Sequence, residues 1–585
     1  NNLITYPKDG STKSTDRLYR NEGIKANGLP YFVNMGKKAG ILEHGWGLGV
    51  IVKDINQDGW SDVYVANDFQ SNDLLYINQK NGTFKNQIAE ILPHQSHNSM
   101  GVDMADINND GLDEISVMDM MPNDNLRQKM MFGGINYDNY QIALERGYQP
   151  QFVRNMLQLN HGGSPDGNPV FGDIGYMAGV NATDWSWSTL FADFDNDGFR
   201  DLFITNGYRK DITNLDFISY RSSSNIMGID TAQTKAVNQA MDKLDGVYKA
   251  NFLFKNNGDL TFTNKANEWD MNQKAYTNGA AYADFDNDGD LDLIMNNIND
   301  KAFVYENLLN ENTDKNQANY LRISLLGLDG NKAGLGAKIK IYANGTTYYD
   351  DHTLQRGYKS TVENNVHFGV GKCTKIDSII VMWLSGKRQI IKNISPNQTI
   401  NIQEKDAKPF LINTQKELIL FTDITKDSLI NYLQTENLYV DFKSQPSIPH
   451  QLSKTGPGMA VADVNGDKLD DLYITGSLRQ PSCLFIQNKA GRFTKKQFIK
   501  DQEYKNIINV NDGRGNFSKL KENTLPITST SGGVITAADF DKDGDLDLFI
   551  GGRQMPQQYP LSPKSYLLRN DTKEGKIKFT DITVS

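Results

Sequence analysis

One nine-residue phrase, rich in aspartate, occurs six times and carries the residues best suited to chemistry. Positions 1, 3 and 5 hold Asp or Asn, position 6 is Gly in every copy but one, and position 9 is Asp or Glu. Side-chain oxygens at alternate positions converge on one point, and Gly permits the sharp turn between them. An all-oxygen ligand set suits a hard cation, and Ca²⁺ tolerates irregular geometry better than Mg²⁺. The pattern therefore predicts up to six Ca²⁺ sites.

We name the six copies loops 1 to 6 in chain order; they span residues 54–62, 106–114, 193–201, 284–292, 463–471 and 539–547. The expected ligands are the side chains at positions 1, 3, 5 and 9 and the backbone carbonyl at position 7. These are Asp54, Asn56, Asp58, Trp60 and Asp62; Asp106, Asn108, Asp110, Leu112 and Glu114; Asp193, Asp195, Asp197, Phe199 and Asp201; Asp284, Asp286, Asp288, Asp290 and Asp292; Asp463, Asn465, Asp467, Leu469 and Asp471; and Asp539, Asp541, Asp543, Asp545 and Asp547.

Position 12 of each copy separates these loops from EF-hands. An EF-hand needs a bidentate Glu there. The residues found at position 12 are Val65, Val117, Ile204, Met295, Ile474 and Ile550. An apolar residue at this position is typical of a buried strand, so the phrase predicts two strands joined by a metal loop. The same test excludes dockerin-type loops.

The six sites are expected to differ in affinity. Loops 4 and 6 have four acidic ligands and an intact Gly, so they should bind calcium most tightly. Loop 5 carries Lys468 where Gly belongs, which adds positive charge and resists a positive φ angle, so it should bind most weakly. Glu114 in loop 2 is longer than Asp and either binds bidentately or distorts the loop.

A second repeated phrase follows the first and predicts a second hairpin. It has an apolar strand, an Asn/Gly turn and another strand, as in residues 75–84, 253–262, 484–493 and 508–517, with weaker copies from Leu18, Met156 and Leu567. Two hairpins per unit give four antiparallel strands, the unit of a β-propeller blade. A solenoid has shorter repeats than the 52 to 91 residues that separate most loops. We expect an all-β propeller of about seven blades.

At this point the sequence resembles known families. The Asp-rich hairpins are similar to FG-GAP/VCBS repeats of integrin α-subunit propellers and secreted bacterial proteins. Residues 319–406 resemble the ASPIC/UnbV domain, through Asn319-Tyr-Leu-Arg-Ile-Ser-Leu, Val366-His-Phe-Gly-Val-Gly and Val381-Met-Trp-Leu-Ser-Gly-Lys. We expect a first propeller part at 1–315, a small β-sandwich of about six strands at 316–406, a linker at 407–435 and a second propeller part at 436–585. A further Asp-rich hairpin that the family pattern implies is missing near residues 500–507.

Composition limits the classes of binding partner and the cellular location. A formal charge of −10 argues against nucleic acid, and no apolar run of membrane-spanning length occurs. Two cysteines, Cys373 and Cys483, give no disulfide framework and are expected to be unpaired. The chain starts at Asn, so a signal or lipid anchor is expected upstream. Extracellular calcium modules bind at about 10⁻⁴–10⁻³ M, which also favours a location outside the cytoplasm: extracellular, periplasmic or on the outer cell surface.

No catalytic motif is present, and the remaining candidates are weak. His94 and His97 have the spacing of a ligand pair, although surface histidines are the simpler interpretation. Trp185 and Trp187 point to one face of a strand and either stack on sugar rings or fill the core. Arg553 and Tyr559 are similarly ambiguous.

The inserts at 122–155 and 209–250 either recognise a ligand or only enlarge the edge of the propeller. Residues 231–244 of the second insert predict a helix. We expect a binding or adhesion module for glycan or surface protein. The alternatives are a carbohydrate-active enzyme such as a lyase, and a structural segment of a larger surface protein.

Overall fold

The computed structural model describes residues 8–583 apart from 70, 132–136, 165–166, 226–230, 313–316, 411–429, 449, 478–479, 498–508, 521–524, 526–530 and 556. Strands dominate, which confirms the all-β prediction. The chain divides into two compact units, residues 1–416 (unit 1) and 417–585 (unit 2). The hairpin expected to be missing near 500–507, and most of the predicted linker, lie outside the described residues.

Unit 1 contains four antiparallel sheets in which the strands follow chain order. Each predicted loop joins the first two strands of one sheet, so loops 1 to 4 belong to sheets 1 to 4. Sheet 1 comprises Gly47–Lys53, Asp62–Asn67, Leu74–Asn78 and Phe84–Asn86; sheet 2 comprises Val102–Ala105, Glu114–Val117, Met156–Gly163 and Pro169–Asp173; sheet 3 comprises Ser186–Ala192, Asp201–Asn206, Phe252–Asn256 and Phe262–Asn264; and sheet 4 comprises Thr277–Ala283, Asp292–Asn297 and Phe303–Tyr305.

Apolar side chains on both faces of these strands hold neighbouring sheets together. Ile51 and Ile115 share one core between sheets 1 and 2, and Leu190 and Leu293 share another between sheets 3 and 4. Burial on both faces explains why the second strands are continuously apolar rather than alternating. Each described sheet is open, with two edge strands.

Residues 319–409 contain two sheets with eight strands in all, where the sequence predicts a sandwich of about six. One sheet contains Asn365–Gly371, Asn319–Leu326 and Gln398–Gln403, and the other contains Thr346–Asp351, Lys338–Ala343, Ile376–Met382, Lys387–Ile394 and Lys408–Pro409. Their inner faces bury Leu321, Ile339 and Trp383. The strand Lys408–Pro409 has two exposed residues and no apolar alternation, so the sequence pattern gave no sign of it.

A short hairpin of the sandwich, Gln355–Arg356 and Ser360–Thr361, reaches into the four sheets. Its first strand lies against the first strands of sheets 1, 2 and 3, and its second against that of sheet 4. Gly357 at its tip exchanges backbone hydrogen bonds with Val102, at 2.9 and 3.3 Å. Its φ angle is +67°, and a Cβ there would lie 2.1 Å from Ser188 Oγ, so only glycine fits. We call this element the central hairpin.

The remaining elements of unit 1 are short. A hairpin, Tyr19–Ile24 and Pro30–Asn34, precedes sheet 1; Gln95–Ser96 pairs with Gln151–Phe152 and Lys249–Ala250 with Lys274–Ala275. The helices are Ile88–Ile91, Asn125–Met130, Tyr137–Glu145, Gly175–Ala178, Leu215–Asn225, Thr231–Asp242 and Leu309–Asn312, with one 3₁₀ turn at Glu404–Asp406. The helix predicted in the second insert is confirmed by Thr231–Asp242.

Unit 2 repeats the sheet pattern. Sheet 5 comprises Met459–Ala462, Asp471–Ile474, Cys483–Gln487 and Phe493–Gln497, and sheet 6 comprises Ser531–Ala538, Asp547–Gln554, Tyr566–Asn570 and Phe579–Asp581. A hairpin, Asn509–Asn511 and Phe517–Lys519, and the helix Asp441–Ser444 accompany them. Loops 5 and 6 join the first two strands of sheets 5 and 6. Within the described residues of both units, no helix has the length and apolar character needed to cross a membrane.

Candidate metal centres

The six loops share one backbone arrangement. In each, the carboxylate at position 1 accepts N–H bonds from positions 5 and 6; in loop 1, Asp54 accepts from Asp58 at 2.9 Å and Gly59 at 2.6 Å. The equivalent bonds lie between 2.8 and 3.3 Å in loops 2 to 6, where the first carboxylates are Asp106, Asp193, Asp284, Asp463 and Asp539. These bonds turn the chain around the position-1 carboxylate and direct the side chains of positions 3 and 5 towards it.

Two residues of each loop adopt the left-handed conformation. Position 6 does so as expected, with φ between +86° and +98° at the five glycines, and position 4 does so too. In loop 5 the glycine stands at position 4, as Gly466, and Lys468 takes the left-handed conformation at position 6 with φ +68°. That conformation costs a residue with a side chain about 1–2 kcal/mol. The backbone of loop 5 is therefore strained at Lys468, as the sequence predicts.

The carboxylate at position 9 links each loop to the third strand of its sheet or, in sheet 4, to Asn307 just after that strand. In sheet 1, one oxygen of Asp62 accepts the N–H of Ile55 at 3.0 Å and the other accepts the N–H of Asn78, on the third strand, at 2.8 Å. Glu114 in loop 2 makes the same pair of bonds, at 2.9 Å to Ile107 and 3.4 Å to Asn160. The pattern holds in loops 3 to 6 through Asp201, Asp292, Asp471 and Asp547. Position 9 is thus a structural cross-link whether or not it also binds metal.

The third-strand asparagine that completes this link was missed by sequence reasoning. Asn78 donates its side-chain amide to the carbonyl of Ser61 at 3.0 Å, and Asn256 and Asn570 bond the carbonyls at position 8 of loops 3 and 6 at 3.0 and 3.1 Å. The signal was present, because the same Asn recurs in the second repeated phrase, where it was interpreted as a turn residue only.

Burial gives several loop carboxylates unusual proton affinities. It raises the pKa of Asp62 to about 7 and that of Glu114 to about 9, and neighbouring loop carboxylates add to the effect. Burial together with Asp197 and Asp195 also raises the pKa of Asp193 well above its usual range. Anionic oxygens crowded in this way favour a cation that can compensate their charge.

Three loops bring carboxylates close enough to share one metal ion. The groups are Asp193, Asp195 and Asp197; Asp284, Asp286 and Asp292; and Asp539, Asp541 and Asp543, each with one oxygen from every member within 4.8 Å of the others. Loops 1, 2 and 5 have Asn at position 3, and there the amide nitrogen donates to the position-5 carboxylate, at 3.0 Å in Asn56, 2.9 Å in Asn108 and 3.1 Å in Asn465. A half-turn of that amide would present its oxygen instead.

Basic side chains of the protein already contact predicted metal ligands in three loops. Lys255 on sheet 3 bonds both Asp195 and Asp197, the latter at 2.5 Å, and these carboxylates raise its pKa. The sandwich supplies two more cations: Arg322 lies 2.7 Å from Asp284, and Lys338 bonds Asp54. The nine-residue phrase gave no indication of these contacts, because the cations come from elsewhere in the chain.

Lys255 should weaken calcium binding at loop 3. Replacing it by methionine removes a positive charge that competes directly for two predicted ligands, so loop 3 should bind calcium at least about tenfold more tightly, equivalent to about 1.4 kcal/mol. Isothermal titration of the full chain with calcium would show one class of sites gaining affinity. Lys265→Met is the matched control, because Lys265 pairs with Glu268 rather than with a loop. Equal titrations of the two variants would contradict the prediction.

A buried ionic network connects the sandwich to the sheets beneath these loops. Arg356 of the central hairpin lies 3.0 Å from Asp103 on sheet 2 and 3.5 Å from Asp350, which also bonds Arg200 of loop 3 at 2.6 Å. His367 of the sandwich contacts Asn196 of loop 3 at 2.6 Å, and burial lowers its pKa to about 3, so its ring is neutral. The sandwich is therefore attached to loop 3 and to sheet 2 by charged contacts.

The weaker sequence candidates serve mainly as structural residues. Trp185 and Trp187 are buried and stack on Tyr208 with ring centres 4.2 and 5.9 Å away, so they are core residues. His94 bonds Asp173 at 2.9 Å, while the backbone of His97 bonds Asp119 at 3.0 Å. No close group of potential metal ligands in the described part of the chain includes a histidine.

The other single-residue candidates also have structural partners or surroundings. Cys373 and Cys483 are buried and unpaired, as expected. Arg553 donates to Thr455 at 3.0 Å, and Tyr559 is exposed on unit 2, where its backbone N–H bonds Gln445 at 3.1 Å. None of these contacts indicates a ligand.

A groove of about 580 Å³ lies between the outer parts of sheets 3 and 4. Its aromatic lining includes Trp269 and Tyr305, and its carboxylates are Asp195 of loop 3, Glu268, Asp270 and Glu306. We call it the Trp269 groove. Ligand sites of this size combine apolar faces with a few polar groups that fix orientation, and the Trp269 groove has both.

Comparison with known families agrees with these observations. A model of the ASPIC and UnbV family matches residues 327–409, which span most of the sandwich and the central hairpin, and a model of the FG-GAP-like repeat matches residues 54–117, which span loops 1 and 2. The chain carries an FG-GAP-like repeat and an ASPIC/UnbV domain. The resemblance predicted from the sequence is confirmed, and the charged contacts described above join this ASPIC/UnbV domain to its repeats.

Two solved structures are similar over most of the chain at low identity. An Agrocybe aegerita lectin that recognises non-reducing terminal N-acetylglucosamine is 13% identical, with 95% of this chain and 85% of the lectin covered and a TM-score of 0.19. The V. cholerae biofilm matrix protein Bap1 is 10% identical, with 95% and 81% covered and a TM-score of 0.21. No curated protein sequence matches the chain.

Proposed function

We propose that the protein is an extracellular or cell-surface binding module, built on a calcium-binding β-propeller of about seven blades and interrupted by the ASPIC/UnbV domain. The sheets are its blades, and loops 1 to 6 hold up to six Ca²⁺ through the ligands predicted from the sequence. Loops 3, 4 and 6 each have four acidic ligands, but Lys255 competes for two of those in loop 3, so the tightest binding is expected in loops 4 and 6. Calcium stiffens the sheets, and recognition takes place on an adjacent surface.

The Trp269 groove is the observation that carries the binding function. Its aromatic side chains offer flat apolar faces to the C–H surfaces of a sugar ring, and its carboxylates accept hydrogen bonds from sugar hydroxyls. The same carboxylates repel uronates and sulfated sugars. A neutral glycan therefore fits the groove best.

Replacing Trp269 by alanine should reduce glycan binding by at least about tenfold, because the aromatic face contributes about 1.4 kcal/mol or more. The full chain with calcium is screened on a glycan array, and hits are followed by titration of both proteins. Trp46→Ala is the matched control, since Trp46 is exposed on unit 1 and lies outside the groove.

Each outcome of that screen has a defined meaning. Unchanged binding by the Trp269→Ala variant would overturn the groove as the glycan site. Failure to retain any neutral glycan would overturn the glycan function and leave surface proteins as the partner class to test. Release of shortened sugars from a bound glycan would instead indicate an enzyme such as a lyase.

A further inference from the structure

Loop 4 is surrounded by more carboxylates than one metal ion can use. Its own group for the predicted ion is Asp284, Asp286 and Asp292. A second group, Asp288, Asp290 and Glu311, shares no member with the first, and one oxygen from each of its residues lies within 4.8 Å of the others. Glu311 comes from the helix Leu309–Asn312, outside the repeated phrase. The predicted calcium site uses only the backbone carbonyl of position 7, so the side chain of Asp290 is not a ligand of that site.

Asp290 gives independent evidence of an unfilled contact. Asp290 is only 1% exposed, and its Oδ1 is buried without a hydrogen-bond partner. The other oxygen accepts the N–H of Asn310 at 3.1 Å, which holds the carboxylate in place. Oδ2 of Asp288, in the same group, is also buried without a partner. Leaving such anionic oxygens unsatisfied is costly unless a cation binds them.

No basic side chain compensates this second group. Among the described residues, Lys and Arg form no ion pair with Asp288, Asp290 or Glu311; the nearby Arg322 pairs with Asp284 and Glu363 instead. The five loop aspartates, Glu311 and Glu306, which lies close to Asp286 and Glu311, carry seven negative charges against the one positive charge of Arg322. One Ca²⁺ would leave a formal charge of −4 on this cluster, and two would leave −2.

Loop 6 provides an internal comparison. It has Asp at positions 1, 3, 5, 7 and 9 like loop 4, yet the group found there is Asp539, Asp541 and Asp543 alone. Asp545 also has an Oδ1 without a hydrogen-bond partner, but the residue is more exposed than Asp290, and in the described part of sheet 6 no glutamate joins it to form a second group. The extra group thus depends on Glu311 rather than on the loop sequence.

We propose that loop 4 holds two divalent cations. The first occupies the predicted loop site, and the second binds the carboxylates of Asp288, Asp290 and Glu311, with Asp288 bridging the two ions. Three carboxylates with no nitrogen or sulfur ligand suit a hard cation, and calcium fits this irregular set better than magnesium. This site rests on the calcium-binding role proposed for loop 4, but two of its three ligands, Asp290 and Glu311, are side chains that the loop site does not use.

Counting bound calcium in the full chain tests this site. Equilibrium dialysis with ⁴⁵Ca at saturating calcium should give one ion fewer per chain in Glu311→Gln and in Asp290→Asn than in the wild type. Asp290→Asn retains the backbone carbonyl that the loop site uses, so both variants leave that site intact. Glu90→Gln is the matched control: Glu90 is exposed and lies in a four-residue helix after the last strand of sheet 1, but it pairs with Lys85 at 3.0 Å.

The outcomes separate this inference from the proposed calcium role. Equal calcium counts in the wild type and both variants, with calcium still bound, would overturn the second ion and leave the loop sites standing. A wild-type chain that binds no calcium would overturn both. Matching melting curves of the variants in EDTA would show that the lost ion does not reflect unfolding, because Glu311 is exposed and Asn can retain the bond from Asn310.

Discussion

Replacing Arg356 by alanine should lower the free energy of unfolding of unit 1 by about 3–5 kcal/mol, the usual cost of removing one partner from a buried ion pair. Arg356 is buried, lies 3.0 Å from Asp103 and 3.5 Å from Asp350, and donates to the carbonyl of Met104 at 3.2 Å. Its loss leaves two carboxylates buried without that counter-charge. Denaturant unfolding of the full chain, followed by tryptophan fluorescence, measures the effect.

The pH dependence of that loss distinguishes a charge effect from lost packing. Burial already raises the pKa of Asp103, and removing Arg356 raises it further because Arg356 opposes that rise. A carboxyl whose folded pKa exceeds its unfolded value destabilises the fold increasingly as pH rises between the two values. The Arg356→Ala variant should therefore be closer to the wild type at pH 5 than at pH 8.

Arg388→Ala is the matched control for the same experiment. Arg388 lies on the sandwich strand Lys387–Ile394 and stacks on Phe410 with a distance of 3.7 Å to the ring centre. No described carboxylate forms an ion pair with it, so we expect a loss below about 1 kcal/mol. A loss from Arg356→Ala no larger than that from Arg388→Ala would contradict the stabilising role of the buried ion pairs of Arg356.

The close attachment of the sandwich to sheets 1 to 4 was not predictable from the sequence. The repeated phrases predicted strands, turns and loops because each depends on residues within about ten positions of one another. Arg356 and Asp103 are 253 positions apart, and Arg356 belongs to the sandwich rather than to a repeat. The sequence therefore indicated a separate sandwich domain, whereas in the structure the central hairpin packs against the first strands of all four sheets of unit 1.

The candidate metal centres show the same division between local and distant information. Spacing alone predicted the turn around Asp54 and its five equivalents, because backbone N–H groups four and five residues away form it. It missed Lys255 and Arg322, which approach loops 3 and 4 from other strands, and it missed Glu311, which follows the third strand of sheet 4. The order of calcium affinity predicted from the loop sequences must therefore be corrected for the charged side chains that the fold places beside each loop.

Removing calcium should lower the melting temperature of the protein by roughly 10 °C or more at pH 8. A ligand present at 100 times its dissociation constant stabilises the native state by about 2.7 kcal/mol per site, and unit 1 alone contains four loops. Differential scanning fluorimetry in EDTA, against excess calcium, measures the shift. Magnesium added to the chelated protein is the control and should restore little, since these irregular oxygen sites suit it poorly.

The shift should be smaller at pH 5 than at pH 8. Burial raises the pKa of Asp106 to about 7, of Asp290 to about 8 and of Glu114 to about 9 in the metal-free protein. Between the unfolded values near 4 and these raised values, the folded state binds more protons, so the metal-free protein loses stability as pH rises. Calcium must displace those protons, so its affinity increases over the same range. A shift that is equal at both pH values would show that these carboxylates do not bind the ion, and no shift at either would show that the loops hold no calcium.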